Sequence, residues 1–110
     1  MSEITEEKIR SIVKSTVREM MKTGMLKRAD DVAYSETSSR LFEYFRAPER
    51  DHQLEAALDK IRDDYYYSII PNYYGKSYTI DQLAEMYECE ISTITRNKKR
   101  LCLKLYLMLQ

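Results

Sequence analysis

The chain has 110 residues, of which 44% are hydrophobic and 33% charged, and its formal net charge at pH 7 is zero. This length provides one core and excludes a two-domain enzyme. Only two Gly and two Pro interrupt long runs of helix formers, which predicts an all-α chain with short connections. No apolar run approaches the roughly 18 residues of a membrane helix, so we expect a soluble protein with no membrane partner.

Two helices are predicted in residues 1–48, which we interpret as an N-terminal helical arm. Apolar side chains recur at helical spacing over residues 5–23, namely at Ile9, Ile12, Val13, Val17 and Met20. Gly24 is expected to end this helix in the left-handed conformation. A second helix is predicted for residues 30–46; its polar middle, residues 35–39, is a candidate break, and Ala47-Pro48 ends it.

Two further short helices are predicted between this arm and residue 78. Leu54, Leu58 and Ile61 mark an amphipathic helix that starts near residue 51. The pair Asp63-Asp64 offers a cap for a helix over residues 65–74 that closes at Gly75. A kink or an early end is expected at Pro71. Six tyrosines fall between residues 65 and 78, and we expect most of their rings to complete the core.

Residues 79–101, TIDQLAEMYECEISTITRNKKRL, predict two short helices joined by a four-residue turn. Thr79 with Gln82 fits a capping box at the start of the first helix, and Glu90 with Thr93 fits a second one. The side chains expected to face the core are Leu83, Ala84, Met86 and Ile94. This pattern is typical of a DNA-binding helix-turn-helix motif.

The second of these helices, residues 91–104, has the features of a recognition helix. Its predicted core face consists of Ile91, Ile94, Leu101, Leu105 and Met108. Residues 91–110 contain five Lys/Arg and no acid, whereas residues 49–90 contain ten acids and four Lys/Arg. This concentration of basic residues in one helix favours binding to phosphates, although many charged helix faces are simply solvated.

Specific contacts to double-stranded DNA are predicted from this face. Contacts to base edges are predicted for Ser92, Thr93, Arg96 and Asn97, and Arg96 is expected to pair with a guanine. Phosphate contacts are assigned to Lys76, Tyr78, Thr95, Lys98, Lys99 and Arg100.

Residues from about 54 onward resemble a known family of regulators. The likeness is carried by ALDKIRDDYY at residues 57–66, LAE at 83–85 and ISTITRNKKRL at 91–101. These segments resemble region 4 of bacterial sigma-70 factors and the small phage and prophage regulators built on it, the late-gene and autolysin-type activators of Gram-positive bacteria. The resemblance implies a helix-turn-helix domain at residues 49–110 whose last helix enters the major groove, with RNA polymerase as a further partner.

Two departures from the family pattern carry predictions. The turn has Glu88 where such motifs often have Gly, so we expect a left-handed backbone at a residue with a side chain. Asn97 stands where the family often has a buried aliphatic residue, so we expect its side chain to be available for contact with a base or a phosphate. Nothing in residues 1–48 resembles a promoter-melting region, so we interpret the protein as a transcriptional regulator and not as a complete sigma factor.

Beyond Lys104 the last helix is apolar nearly all round, because Leu103 and Leu107 continue the direction of Arg96. Either the N-terminal helices or a second chain is expected to cover this end. One recognition helix makes few contacts, so useful affinity requires a homodimer, through the arm or the apolar end, or help from polymerase.

The sequence contains no motif for catalysis, metal binding or a cofactor, so we do not expect an enzyme. His52 is the only histidine and has no ligand-type neighbours at metal spacing. Cys89 and Cys102 follow no secretory leader and are expected to be reduced thiols of a cytoplasmic protein. The alternative function is a helical protein-interaction adaptor or anti-activator, or a small phage packaging or assembly factor, with no DNA binding of its own.

Overall fold

A computed structural model describes the backbone of residues 22–110 and the side chains of residues 28–110. All regular structure in this part of the chain is helical, which confirms the all-α prediction. The elements are α1 (Lys22–Arg46), a 3-10 turn (Pro48–Arg50), α2 (His52–Lys60), a π-helical turn (Pro71–Gly75), α3 (Ile80–Tyr87) and α4 (Ile91–Met108). No helix among these residues is both long enough and apolar enough to cross a membrane.

Helix α1 differs in two ways from the predicted arm. It runs through Gly24, and the described glycines have no positive φ, so the prediction that Gly24 ends a helix is wrong. It is also continuous through residues 35–39, where Ser38 shares a 2.7 Å hydrogen bond with the hydroxyl of Tyr74. The predicted end before Pro48 is confirmed. The helix predicted for residues 5–23 lies almost entirely outside the described residues.

Residues Tyr34–Gln110 form one structural unit, and residues Met1–Ala33 are assigned to another. The larger core of the Tyr34–Gln110 unit joins α1, α2 and α4 and contains Leu41, Leu54, Leu58, Ile61, Ile70, Leu101 and Leu105. Residues 34–46, which the sequence assigns to the arm, therefore pack with the residues that follow. Each fully buried aliphatic side chain contributes about 1.5–3 kcal/mol, so this core holds α4 firmly along one side.

Helix α2 starts at a cap that also connects it to α1. The side chain of Asp51 accepts a hydrogen bond from the Leu54 backbone N–H at 3.1 Å. The Arg40 guanidinium donates to both oxygens of the same carboxylate, at 2.7 and 3.0 Å. This pair holds the pKa of Asp51 below its ordinary value, chiefly through the hydrogen bonds from Arg40.

The segment between α2 and α3 is less regular than predicted. Residues 61–68 form turns, so the prediction of a continuous helix over residues 65–74 is wrong. Asp64 does act as a local cap, because its carboxylate accepts from the Tyr66 N–H at 2.9 Å. The irregularity expected at Pro71 takes the form of a π-helical turn, in which the Lys76 N–H reaches the Pro71 carbonyl at 3.1 Å.

Helices α3 and α4 are joined by the three residues Glu88 to Glu90. Thr79 and Gln82 form the predicted capping box of α3, with hydrogen bonds of 2.8 and 3.1 Å. Glu88 adopts the left-handed conformation (φ 54, ψ 50), as expected from its position in the turn. The capping box predicted for α4 is wrong, because the Glu90 side chain makes no cap hydrogen bond.

A second, smaller core anchors this pair of helices. It consists of Ile69, Leu83, Ala84 and Ile94. Ala84 is 7% exposed, which fits the close approach predicted there. Met86 and Ile91, however, are 52% and 51% exposed, so their predicted place in the core is wrong. Both lie within two residues of the turn Glu88 to Glu90 that joins the two helices.

Candidate functional site

The first half of α4 presents one buried and one open face. Ile94 and Leu101 are fully buried, while Ser92, Thr95 and Arg96 are exposed. Arg96 has no hydrogen-bond or ion-pair partner among residues 28–110. No acid occurs anywhere in α4, so its outer surface carries only neutral and positive side chains. These exposed groups form the candidate site, and they include two of the four predicted base contacts.

Lys98 is not on this open face. It is only 7% exposed, its Nζ donates a hydrogen bond to the Tyr34 hydroxyl, and its ammonium lies 4.1 Å from the ring centroid of Tyr73. The rings of Tyr34 and Tyr74 follow at 5.1 and 5.6 Å. The structure therefore places Lys98 in the interior and not on the exposed face expected for a phosphate contact, because its charge is held by electron-rich ring faces.

A signal for this burial was present in the sequence. At about 100° per residue, Lys98 lies only about 40° from Ile94, the centre of the buried face. The residue type argued against burial, because a lysine is almost never buried unless a partner accommodates its charge. The partners are tyrosines from two separate stretches of the Tyr34–Gln110 unit, Tyr34 and the adjacent Tyr73 and Tyr74, and nothing in local sequence brings these stretches together.

Arg100 and Asn97 are engaged within the protein. Arg100 donates to both carboxylate oxygens of Asp64 at 2.9 Å, and its Nε donates to the Asn97 side-chain oxygen at 3.0 Å. The Asn97 amide in turn donates to the Thr93 carbonyl at 2.8 Å. Hydrogen bonding to Arg100 lowers the pKa of Asp64, so this carboxylate stays ionised. Asn97 is thus not the unoccupied amide that the sequence predicted.

The remaining predicted contacts lie at different depths. Thr93 and Lys99 are half-buried on α4, and Lys99 makes an interaction within the protein. Lys76 is exposed before α3, whereas Tyr78 is half-buried and packs against the second core. The candidate site is consequently smaller than predicted, with Arg96 as its most accessible cation on the first half of α4.

Negative charge borders the site on the side of α3. Four exposed acids, and no Lys or Arg, lie within residues 79–90; they are Asp81, Glu85, Glu88 and Glu90. They would repel a polyanion that approached over α3. A nucleic acid in contact with Arg96 would therefore have to avoid this surface.

An open groove of about 380 Å³ lies before α3 and was not predicted. It is lined by Phe42, Tyr73, Ser77, Tyr78, Thr79 and Ile80. Its walls offer aromatic faces and hydroxyls but no carboxylate, imidazole or thiol. Tyr73 links the groove to α4, since the same ring contacts the ammonium of Lys98.

The C-terminal half of α4 leaves apolar surface open. Leu105 is fully buried, Leu103 is half-buried, and Leu107 is 73% exposed. This agrees with the expectation of apolar surface around the end of the helix. The two cysteines are free thiols, and burial raises the pKa of Cys102, so it remains protonated next to Tyr74.

Comparison with known proteins provides no relative for this chain: no protein-family model, curated protein or solved structure matches it.

Proposed function

We propose that the protein is a sequence-specific double-stranded DNA-binding transcriptional regulator of the phage or sigma-factor-like type, acting in the cytoplasm, with α4 as its recognition helix. The observation that carries this proposal is the open surface of Ser92, Thr95 and Arg96 on a helix whose other side is buried at Ile94. A helix held by a core along one side and lacking acids on the other is suited to a major groove.

Arg96 and Ser92 are the residues proposed to reach base edges. The Arg96 guanidinium has the donor geometry to pair with the O6 and N7 atoms of a guanine, and Ser92 lies one helical turn before it. Thr95, Lys99 and Lys76 are proposed to contact phosphates. With Lys98 buried, Arg100 paired and Arg96 assigned to a base, two lysines at most neutralise phosphates, which gives a slope of roughly −1.8 for log affinity against log salt.

So few contacts imply weak binding by one copy of the domain. We propose that a second copy of the chain, or RNA polymerase, supplies the missing affinity. A homodimer would place two recognition helices on half-sites about 34 Å apart. The exposed Leu107 and half-buried Leu103 provide apolar surface for such a contact.

The second candidate is a protein-interaction adaptor, anti-activator or phage assembly factor without DNA binding. It is favoured by the exposed Met86 and Ile91, which lie beside the four acids of α3 and the turn. An apolar surface with an acidic border suits a basic protein partner. It does not account for the acid-free face of α4.

The test starts with selection of bound sequences from a random double-stranded library by the full chain. Affinities for a selected and a scrambled duplex are then measured by fluorescence anisotropy at several salt concentrations. Arg96→Ala should lose about 1–3 kcal/mol on the selected duplex and much less on the scrambled one. Arg50→Ala is the matched control, because Arg50 is also exposed but lies near the other end of α4. Gln53, three residues after Arg50, donates to the carbonyl of Leu109, which is roughly 20 Å along the helix from Arg96.

Three results would separate the proposals. Enrichment of one sequence, with a selective loss in Arg96→Ala, supports DNA reading by α4. Equal losses on both duplexes would remove Arg96 from base recognition. Absence of salt-dependent binding to any duplex would overturn the DNA proposal, and a stable complex with a purified protein partner would then favour the adaptor.

A further inference from the structure

A carboxylate from outside α4 contacts Arg100 of this helix. Asp64 belongs to the turn after α2, and its two oxygens accept hydrogen bonds from the two terminal nitrogens of Arg100 at 2.9 Å. This bidentate geometry is the strongest form of the arginine-carboxylate pair. The Asp64 side chain is 16% exposed and that of Arg100 is 43% exposed, so the pair lies at the protein surface.

Asp64 is itself held in place by its own turn. One of its oxygens also accepts from the Tyr66 N–H at 2.9 Å. Arg100 is held from a second direction, because its Nε donates to Asn97. Three of the five N–H groups of the guanidinium are therefore occupied, and two remain for an outside acceptor. A phosphate would have to compete with a preorganised carboxylate of the same charge sign.

We infer that Asp64 is a specificity-determining residue of this DNA-binding surface: it keeps Arg100 from DNA phosphates and so limits sequence-independent affinity. The inference rests on the proposed function. Phosphate contacts add equally to every sequence, whereas base contacts distinguish sequences. Withholding one cation therefore raises the relative weight of Arg96 in choosing a site.

The adjacent acid provides a matched control. Asp63 carries the same charge one residue earlier, is exposed, and has no hydrogen-bond or ion-pair partner among residues 28–110. Asp63→Asn removes that charge without releasing an arginine. Asp64→Asn removes the charge but keeps a side-chain oxygen that can still accept from the Tyr66 N–H. The two variants thus differ mainly in whether Arg100 is released.

The experiment measures binding of the full chain to a random-sequence duplex across a salt series. Asp64→Asn should tighten binding on the order of fivefold to tenfold at 0.1 M salt and steepen the salt slope by about 0.9, the contribution of one phosphate contact. Asp63→Asn should change affinity less than about twofold, since exposed charges are screened beyond roughly 10 Å. The ratio of selected to random affinity should fall in Asp64→Asn only.

Arg100→Gln makes the test independent of how well Asp64→Asn folds. If Arg100 is withheld from DNA, Arg100→Gln should bind the random duplex with nearly wild-type affinity, and the double variant should lose the gain of Asp64→Asn. A loss of about 0.9 in the salt slope of Arg100→Gln alone would overturn the inference, and so would equal gains in the two Asp variants. If the wild-type protein binds the duplex and Asp64→Asn binds it with the same affinity, only this inference is refuted. If neither protein binds any duplex, the proposed function is refuted as well.

Discussion

The buried ammonium of Lys98 leads to a quantitative prediction about stability. Lys98→Ala removes three methylenes from a site that is 7% exposed, which corresponds to about 2.4 kcal/mol at about 0.8 kcal/mol per methylene. It also removes the cation-π contacts, with the nearest ring centroid at 4.1 Å, worth about 1–2 kcal/mol together. Relief from burying a charge offsets part of this loss. We expect a net destabilisation of about 2–3 kcal/mol.

Lys98→Met separates packing from charge. The methionine chain fills most of the same volume. It loses the ammonium with its cation-π contacts and its hydrogen bond to Tyr34, but it also removes the cost of burying a charge, so the net cost should stay below about 1 kcal/mol. Urea unfolding followed by circular dichroism measures both variants. Lys104→Ala, an exposed lysine of the same helix, is the control and should change stability by less than about 0.5 kcal/mol.

Two outcomes would contradict this account of Lys98. If Lys98→Ala costs no more than Lys104→Ala, the ammonium is not packed among the tyrosines. If Lys98→Met reduces the salt slope of duplex binding by about 0.9, Lys98 contacts a phosphate after all. We expect the slope to be unchanged.

Three further predictions concern the caps and turns of the fold. Glu88→Gly should stabilise the protein by about 0.5–1 kcal/mol in urea unfolding, because glycine relieves the left-handed backbone at φ 54. Thr79→Ala should cost about 1 kcal/mol in thermal unfolding, because it removes the side-chain acceptor for the Gln82 N–H. Asp51→Asn should reduce the dependence of the unfolding free energy on pH below about pH 4. The pair with Arg40 lowers the folded-state pKa of Asp51, so the stabilisation by the ionised carboxylate is present above the unfolded-state pKa and is lost as pH falls.

Matched substitutions make these outcomes interpretable. Glu85→Gly, inside α3, should cost about 1 kcal/mol, and a gain there would contradict the backbone explanation for Glu88. Thr95→Ala, at an exposed position inside α4, should be neutral or slightly stabilising. If Asp51→Asn loses stability below about pH 4 as steeply as the wild-type protein, the pair with Arg40 does not contribute to acid unfolding.

The helical content of the described residues was predictable because its causes are local. The capping box of Thr79 and Gln82 and the apolar spacing of Leu54, Leu58 and Ile61 depend on residues within one or two turns of each other. The left-handed turn at Glu88 was predictable for the same reason. The helix over residues 65–74 was not, since aromatic contacts such as Tyr65 with Tyr87, 5.5 Å between ring centroids, favour a turn-rich path there.

The candidate site was predictable only in part. Periodicity placed Ser92, Thr95 and Arg96 correctly on the open face of α4. It did not anticipate that Lys98 would be buried or that Arg100 would be paired. Their partners, Tyr34 and Asp64, lie 64 and 36 residues away in the sequence. A pattern within one helix contains no information about such distant side chains.

The amino-acid sequence by itself determined the helical class, the turn between α3 and α4, and the absence of acid from the last helix, because each follows from neighbouring residues. Only the tertiary structure decided which cations remain available on α4. That choice follows from packing: the core brings electron-rich rings to Lys98 and a preorganised carboxylate to Arg100, while Arg96 is exposed and has no hydrogen-bond or ion-pair partner among residues 28–110.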